Sequence, residues 1–224
     1  MSAVRRATPS TRVLRLEGVL AYRAGQAAQI GPASSELTVP YSIASSPEDT
    51  ASHGYVEFLV KVDAQERWGQ HFDPLRRGQT MRVRGPLGRF TFPEQPGGRD
   101  FLFIAGGTGI APLRSMLRHA RASGYLGSYR LLYSARTPAD FAYLPELRGM
   151  ARRGELQLVL TATRGGDDVW KGHRGRIAVA QLAALIDTTA TLCFVCGPAA
   201  MVDDVPRMLG ELGIDRTLIR LEEW

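Results

Sequence analysis

The sequence predicts two domains: an antiparallel β-barrel over residues 1–97, then an α/β domain with a doubly wound parallel sheet over residues 98–224. Three observations predict this. The first part consists of short alternating or β-rich runs set between turn residues. The second alternates apolar strands with segments of helical spacing, the pattern of a parallel sheet. Between them, Glu94-Gln95-Pro96-Gly97-Gly98 is the densest Pro/Gly stretch of the chain and a natural boundary.

In the first part, Arg12-Val13-Leu14-Arg15-Leu16, Tyr55-Val56-Glu57-Phe58-Leu59-Val60 and Met81-Arg82-Val83-Arg84 read as strands. In the second, Phe101-Leu102-Phe103-Ile104-Ala105 is a buried strand by composition. Pro112 to Ala122 follows as a helix with Leu113, Met116, Leu117 and Ala120 on one face. Strand Arg130–Tyr133, a helix around Leu144–Met150, strand Leu156–Leu160 and a helix around Val179–Ile186 come next. Strand Leu192–Val195, a helix from Ala199 to Leu212 and strand Leu218–Leu221 complete the series.

The 224 residues are 44% hydrophobic and 22% charged, a composition that packs a core and excludes wholesale disorder. No apolar run approaches the ~20 residues that span a bilayer. The N-terminal MSAVRRATPSTR lacks the apolar stretch of a signal peptide, so a cytoplasmic location is expected. Two cysteines exclude a disulfide scaffold and an intrinsic four-cysteine cluster. Cys193 and Cys196 are three apart on a strand-like run, so their side chains point to opposite faces and suit neither a metal nor each other. His53, His71, His119 and His173 are scattered, and no metal site is expected. The net charge is +6, spread evenly, with 12 basic and 9 acidic residues in 1–97 and 16 and 13 in 98–224. There is no basic tail and no membrane insertion is expected; nucleic acid is a poor partner, whereas an acidic protein partner fits the charge.

Four segments carry chemistry. Gly106-Gly107-Thr108-Gly109-Ile110-Ala111-Pro112 lies directly between a buried strand and a helix, where free N–H groups and the positive helix end favour a diphosphate. Pro112 suits the first helical turn, and Thr108 adds a hydroxyl. The third glycine of the common dinucleotide fingerprint is absent, as is the acid that would hold an NAD ribose. The next strand ends instead at Ser134-Ala135-Arg136, and an arginine there suits a 2′-phosphate. Cys196-Gly197-Pro198-Ala199-Ala200-Met201 is a second strand-to-helix turn. In the first domain, Pro40-Tyr41-Ser42-Ile43 offers a flat ring and a hydroxyl, and Gly85-Pro86-Leu87-Gly88-Arg89-Phe90 a turn.

In order, PYSIAS, GPLGRF, GGTGIAP, YSART, TATR…W…GHRGRI, CGPAAM and the closing Glu-Glu-Trp resemble the ferredoxin–NADP reductase superfamily over about Val13 to Trp224. The resemblance implies a flavin-binding barrel and a pyridine-nucleotide domain. It implies hydride transfer from NADPH or NADH to FAD, or to FMN, and onward electron transfer to a separate acceptor. By matched position it places Tyr41 along the flavin ring and Ser42 near the reacting nitrogen, with Pro40, Ile43, Gly85 and Gly88 in the flavin site. Gly107, Thr108, Gly109 and Pro112 would face the diphosphate. Ser134, Arg136 and Arg164 would surround the adenosine end, and Cys196, with Gly197, Pro198 and Met201, the nicotinamide. Ser42, Cys196 and Trp224 are the catalytic candidates, with Glu222 nearby.

Two positions depart from the family. Val39 stands where the family has an arginine for the flavin phosphate. Phe72 ends Gly69-Gln70-His71-Phe72, where the family has a Ser/Thr hydroxyl. Each lost charged hydrogen bond costs on the order of 1.5–3 kcal/mol, so the pair weakens flavin binding by roughly two to four orders of magnitude. Arg82, Arg84 and Arg89 are candidate compensators. The expectation is a loosely held flavin. The acceptor is a ferredoxin-like carrier or an oxygenase component. The alternatives are a flavin reductase using free FMN or FAD and, from another class, a non-catalytic nucleotide-binding subunit or sensor.

Overall fold

The computed structural model describes residues 1–18, 20–62, 72, 75–97, 99–165 and 170–223. Trp224, Gly69, Gln70 and His71 therefore lie outside the described residues. The described chain forms two compact units, Met1–Glu94 with Ala111–Gly124, and Gln95–Ile110 with Tyr125–Trp224.

The first unit holds two three-stranded antiparallel sheets. One is β1 (Ala3–Thr8), β2 (Thr11–Glu17) and β5 (Tyr55–Lys61), in the order β1-β2-β5. The other is β4 (Val39–Ser42), β3 (Ala27–Pro32) and β6 (Met81–Leu87), in the order β4-β3-β6. A single bridge, Ile43 to Phe58, links the chain after β4 to β5. Alternation explains the core: Leu14 and Leu16 of β2 face one side and join Ile30, Val39, Ile43, Phe58 and Phe72 in one apolar interior, while Val13 is buried on the other face.

Between β4 and β5 runs α1 (Pro47–His53), started by a capping box in which Ser46 and Asp49 each accept the other's backbone N–H. Half-burial alone would raise the Asp49 pKa. The paired hydrogen bonds from Arg118, the Ser46 N–H, the Arg118 charge and the Ser46 hydroxyl outweigh it and hold Asp49 at about 2. A folded pKa below the ordinary 3.8 makes this contribution complete above about pH 4 and lost as pH falls through about 2. It amounts to about 1–2 kcal/mol once solvent screening of a half-buried pair is allowed for. Asp49→Asn is expected to lower the urea midpoint at neutral pH and to converge with the parent near pH 2; equal midpoints at neutral pH would refute the account.

The second unit is a six-stranded parallel sheet in the order β10-β9-β8-β7-β11-β12. Its strands are β7 (Phe101–Gly106), β8 (Tyr129–Ala135), β9 (Gln157–Ala162), β10 (His173–Arg174), β11 (Leu192–Gly197) and β12 (Ile219–Glu223). All six residues of β7 and of β11 are buried, as central parallel strands require. After β7 the chain enters α2 (Ile110–Ala122), which from Ala111 belongs to the first unit; the helices of the second unit are α3 (Leu144–Arg152), α4 (Val179–Ala183) and α5 (Ala199–Glu211). From β7 the chain steps outward through β8, β9 and β10, then returns to place β11 on the other side of β7 and β12 beyond it. The direction of winding reverses between β7 and β11, and ligands of open parallel sheets bind at the carboxyl ends beside such a reversal. Among the described residues no helix is long and apolar enough to cross a membrane.

Candidate functional site

The two glycine turns lie side by side at this reversal. Cys196 of β11 is in register with Ala105 of β7. Beyond them, a Cβ on Gly109 would lie 2.2 Å from the Cys196 carbonyl oxygen, and one on Gly106 2.7 Å from Met201 Cε. Gly197 is constrained likewise, 2.7 Å from Met201 Sδ. In sequence these glycines suggest ligand approach. Gly106 and Gly109 serve the close contact of one turn with the other, while Gly197 makes room for Met201 of its own turn. Gly107 is different: its φ of 54° lies in the left-handed region that glycine tolerates. Its carbonyl accepts a 3.0 Å hydrogen bond from Tyr133 Oη, which in turn accepts from the Ala142 N–H. Burial pushes the Tyr133 phenol far up in pKa, so it stays a neutral donor. Tyr133 is a support that motifs do not reveal, because it looks like one more apolar strand residue.

Gly107 and Thr108 remain partly accessible, Pro198 is exposed, and Met201 is half-buried; Gly109, Pro112 and Gly197 are buried. A three-residue 3-10 turn, Gly107–Gly109, runs straight into α2 with no acidic side chain in its first turn. That turn leaves N–H groups and a positive helix end for an anion, so the residues fit a nucleotide diphosphate.

Cys196 is 1% exposed, and its Sγ donates to Glu222 Oε2 at 3.9 Å. Strand pairing sets this contact, since Cys196 and Glu222 are in register on β11 and β12. Burial, with the neighbouring Glu222 charge and hydrogen bond, pushes the Cys196 thiol well above its usual range. It is therefore a protonated donor and not a thiolate. Cys193 is wholly buried in the core beside Leu102 and Val195, its pKa raised to about 12 by burial. Both sulfurs are free thiols.

At the carboxyl ends of β8 and β9, the Arg164 N–H donates to the Arg136 carbonyl at 2.6 Å. Both side chains are exposed and form no ion pair among the described residues. Ser134, in register with Gly106 and Thr161, keeps only 6% exposure beneath them. Trp170 stacks on Phe141 with centroids 5.3 Å apart and donates to the His173 carbonyl.

In the first unit, β4 carries the flavin candidates. Pro40 is exposed, while Tyr41 and Ser42 are half-buried. The Tyr41 ring meets the edge of Phe72 at 5.2 Å. The Ile43 side chain is fully buried in the core and its N–H donates to the Gln26 carbonyl, so only its remaining backbone atoms are placed to meet a ligand. Gly85 is exposed, and a Cβ there would press on Ala28 at 3.0 Å. Gly88 takes φ 90°, and its carbonyl accepts from Gln26 Nε2. From Val83 to Leu87, five successive residues of β6 are exposed on both faces of the strand. A paired strand with neither face covered is what a flat ligand lying on the sheet would complete.

Directly after Ser42 the chain is fixed by buried polar contacts that the motifs do not announce. Arg114 Nη1 donates to the Ala44 carbonyl at 2.6 Å and to Glu57 Oε1 at 3.2 Å. Ser115 Oγ donates to the Ser45 carbonyl at 2.6 Å. Tyr22 Oη lies 3.0 Å from Ser45 Oγ and 2.8 Å from Thr50 Oγ1, its pKa raised to about 12 mainly by burial.

An antiparallel domain with an open strand, followed by a parallel sheet with glycine turns at its reversal, is the architecture of oxidoreductases that pair a flavin with a pyridine nucleotide. Residues 7–92 match the oxidoreductase FAD-binding domain, and residues 103–207 the oxidoreductase NAD-binding domain. The chain is 33% identical over 198 residues to ferredoxin–NADP reductase B of Sorangium cellulosum, covering 84% of this chain and 79% of that protein. It is 32% identical to the glycine betaine monooxygenase reductase subunit of Pseudomonas aeruginosa over 78% of this chain, and spans about half (48%) of that relative. The ferredoxin reductase in carbazole 1,9a-dioxygenase superposes with a TM-score of 0.83 at 27% identity, over 99% of this chain and 67% of that one. A ferredoxin–NADP+ reductase from Neisseria gonorrhoeae with bound FAD and NADP shares the fold, with a TM-score of 0.81 at 21% identity over 99% of this chain and 96% of that one. The chain belongs to the ferredoxin–NADP reductase superfamily. It is an NAD(P)H-dependent flavin oxidoreductase that passes electrons onward.

Proposed function

We propose that this oxidoreductase prefers NADPH and delivers its electrons to a separate acidic, ferredoxin-like carrier protein. The observation that carries the nucleotide preference is the exposed pair Arg136 and Arg164, joined backbone to backbone at neighbouring strand ends and without carboxylate partners among the described residues. Two such guanidinium groups suit the dianionic 2′-phosphate that distinguishes NADPH from NADH. The acceptor reading is supported by the net charge of +6 and by the names of the relatives.

When bound, the flavin supplies a ring nitrogen that takes the nicotinamide hydride and then releases electrons singly or in pairs. The chain's own residues do the aligning. Gly107 and Thr108 hold the nucleotide diphosphate on N–H groups and a hydroxyl. Tyr41 gives the flavin a flat face, and Ser42 a hydroxyl that donates or accepts beside the reacting nitrogen. Cys196 keeps its proton on sulfur and orients the Glu222 carboxylate.

The test is anaerobic mixing of the flavin-loaded protein with each nucleotide, then with oxidised ferredoxin. NADPH is expected to bleach the flavin absorbance, and ferredoxin to restore it. Arg136→Ala/Arg164→Ala is expected to lower kcat/KM for NADPH by about 10- to 100-fold, leaving NADH nearly unchanged. A parent protein that favours NADH, or an equal loss with both nucleotides, would overturn the preference. A bleached flavin that ferredoxin does not reoxidise would overturn the acceptor.

A further inference from the structure

We propose that the Tyr133 hydroxyl is a positioning group for the nucleotide: by holding the Gly107 carbonyl it aims the Thr108 N–H at the diphosphate, and so sets nucleotide affinity without touching the ligand. The proposal rests on the reading of Gly107 and Thr108 as the diphosphate turn. It is carried by the bonding around one phenol oxygen. The Ala142 N–H, which can only donate, lies 3.2 Å from Tyr133 Oη. The Gly107 carbonyl, which can only accept, lies 3.0 Å from it. The direction of both bonds is therefore fixed: the oxygen accepts from Ala142, and its one hydrogen goes to Gly107. Burial keeps that hydrogen in place, since it holds the phenol far above its ordinary pKa. The ring is held as firmly. Tyr133 is fully buried on β8 and meets Phe141 edge to face at 5.0 Å.

The effect on the turn follows from peptide geometry. The Gly107–Thr108 peptide is trans and planar, so its C=O and N–H point in opposite directions. The carbonyl is drawn inward to a side chain with no exposure. The Thr108 N–H is thereby directed outward, where Gly107 and Thr108 are themselves half-accessible. The same carbonyl accepts from the Ile110 N–H at the start of α2, so both of its lone pairs are engaged. A carbonyl bonded in this way polarises its peptide and makes the N–H on the other side a better donor. Glycine tolerates the φ of 54° at Gly107, but it tolerates many other values as readily. The glycine permits this orientation of the peptide, and the buried hydroxyl selects it.

The experiment compares Tyr133→Phe with the parent, both flavin-loaded, because phenylalanine keeps the ring and removes only the hydroxyl. The dissociation constant of NADP+, measured by calorimetric titration, is expected to rise about 3- to 10-fold, the worth of one hydrogen bond. With ferricyanide as electron acceptor, KM is expected to rise by the same factor for NADPH and for NADH, since both carry the diphosphate, while kcat stays within about twofold of the parent. A merely structural tyrosine behaves in the opposite way. Loss of folded protein lowers kcat and leaves KM and the dissociation constant unchanged, and that result overturns the proposal. Replacement of Tyr133 by para-aminophenylalanine keeps both a donor and a lone pair, and is expected to bind NADP+ within about twofold of the parent. This variant decides the matter should Tyr133→Phe not fold, because binding weakened about tenfold despite the retained donor also overturns the proposal. The Thr108 amide proton of the parent, followed by NMR, is expected to move downfield when NADP+ is added. If it moves while Tyr133→Phe binds NADP+ as the parent does, Tyr133 has no part in binding and the diphosphate turn stands. If NADP+ leaves it unmoved, the assignment of the turn falls, and the proposal with it.

Discussion

Cys196→Ala is expected to lower kcat by about 100-fold while KM for the nucleotide moves by no more than about threefold. The thiol is buried at the end of β11, and its proton lies toward Glu222. Alanine fits the space, because it keeps the Cβ and removes only the sulfur, and the strand register is set by backbone pairing with β7 and β12. What is lost is the donor that keeps the carboxylate in one orientation. That carboxylate is the more accessible member of the pair, since Glu222 is half-buried on the last described strand. In the proposed position beside the nicotinamide, such a group would contribute to alignment and little to ground-state binding, which is why the loss is expected in kcat.

Cys196→Ser is the companion measurement. A hydroxyl donates to a carboxylate more strongly than a thiol does, so serine is expected to recover activity to within about tenfold of the parent. Since the thiol is held protonated by burial and by Glu222, the pH profile of kcat is expected to show no thiol ionisation below pH 9, the ordinary thiol value. A parent-like kcat in the alanine variant would remove Cys196 and its contact from the mechanism. A limb of the profile near neutrality that disappears in the alanine variant would show a thiolate, contrary to the burial.

Much of this arrangement is legible in the sequence because periodicity and punctuation report it directly. A buried run followed by glycine and proline marks both the β7–α2 and the β11–α5 turns, and the alternation after Gly98 marks the parallel sheet. The positions of strand ends differ from expectation by one or two residues, as at β8, which runs Tyr129–Ala135 and not only Arg130–Tyr133. Strand β1 and the two-residue β10 escape notice because they bury few side chains of their own, and β3 because its Ala, Gln, Gly and Pro residues give little strand signal. The meaning of individual glycines is less legible. Gly106 and Gly109 look like ligand contacts in one dimension, and only the register of β7 against β11 shows each pressed on the opposite turn. The burial of Ile43 is not legible either, since a motif groups neighbours in sequence while alternation sends their side chains to opposite faces. Least legible are the buried polar partners. Tyr133, Arg114 and Ser115 carry no local signature, because a buried arginine is recognised by its partner, and Glu57 lies 57 residues away from Arg114.

That partner makes Arg114 the site of the largest expected loss of stability. Glu57 is 2% exposed and is held by Arg15 at 2.8 Å and by Arg114 at 3.2 Å, while Arg114 also donates to the Ala44 carbonyl. Removing one member of a buried ion pair costs about 3–5 kcal/mol, and here it would leave Glu57 to Arg15 alone and the Ala44 carbonyl without this donor. Arg114→Leu is therefore expected to lower the melting temperature of the first unit by about 6–20 °C, at about 2–4 °C per kcal/mol for a chain of this size. The damage reaches function by a short route. Ala44 is two residues beyond Ser42, and α2 begins directly after the Gly107–Gly109 turn, so the same guanidinium fixes the strand that carries Tyr41 and Ser42, proposed for the flavin, and the helix that continues from the turn proposed for the nucleotide. Arg114→Leu/Glu57→Leu separates the charge from the geometry. Because Arg15 is 31% exposed and can turn to water, the double variant removes the buried carboxylate together with its partner and is expected to recover at least half of the lost stability. A single variant within about 0.5 kcal/mol of the parent, as for an ordinary surface change, would show that Glu57 is satisfied by Arg15 alone and that Arg114 is dispensable to the fold. A double variant no more stable than the single one would show instead that the Ala44 carbonyl, and not the charge, is what Arg114 is there to satisfy.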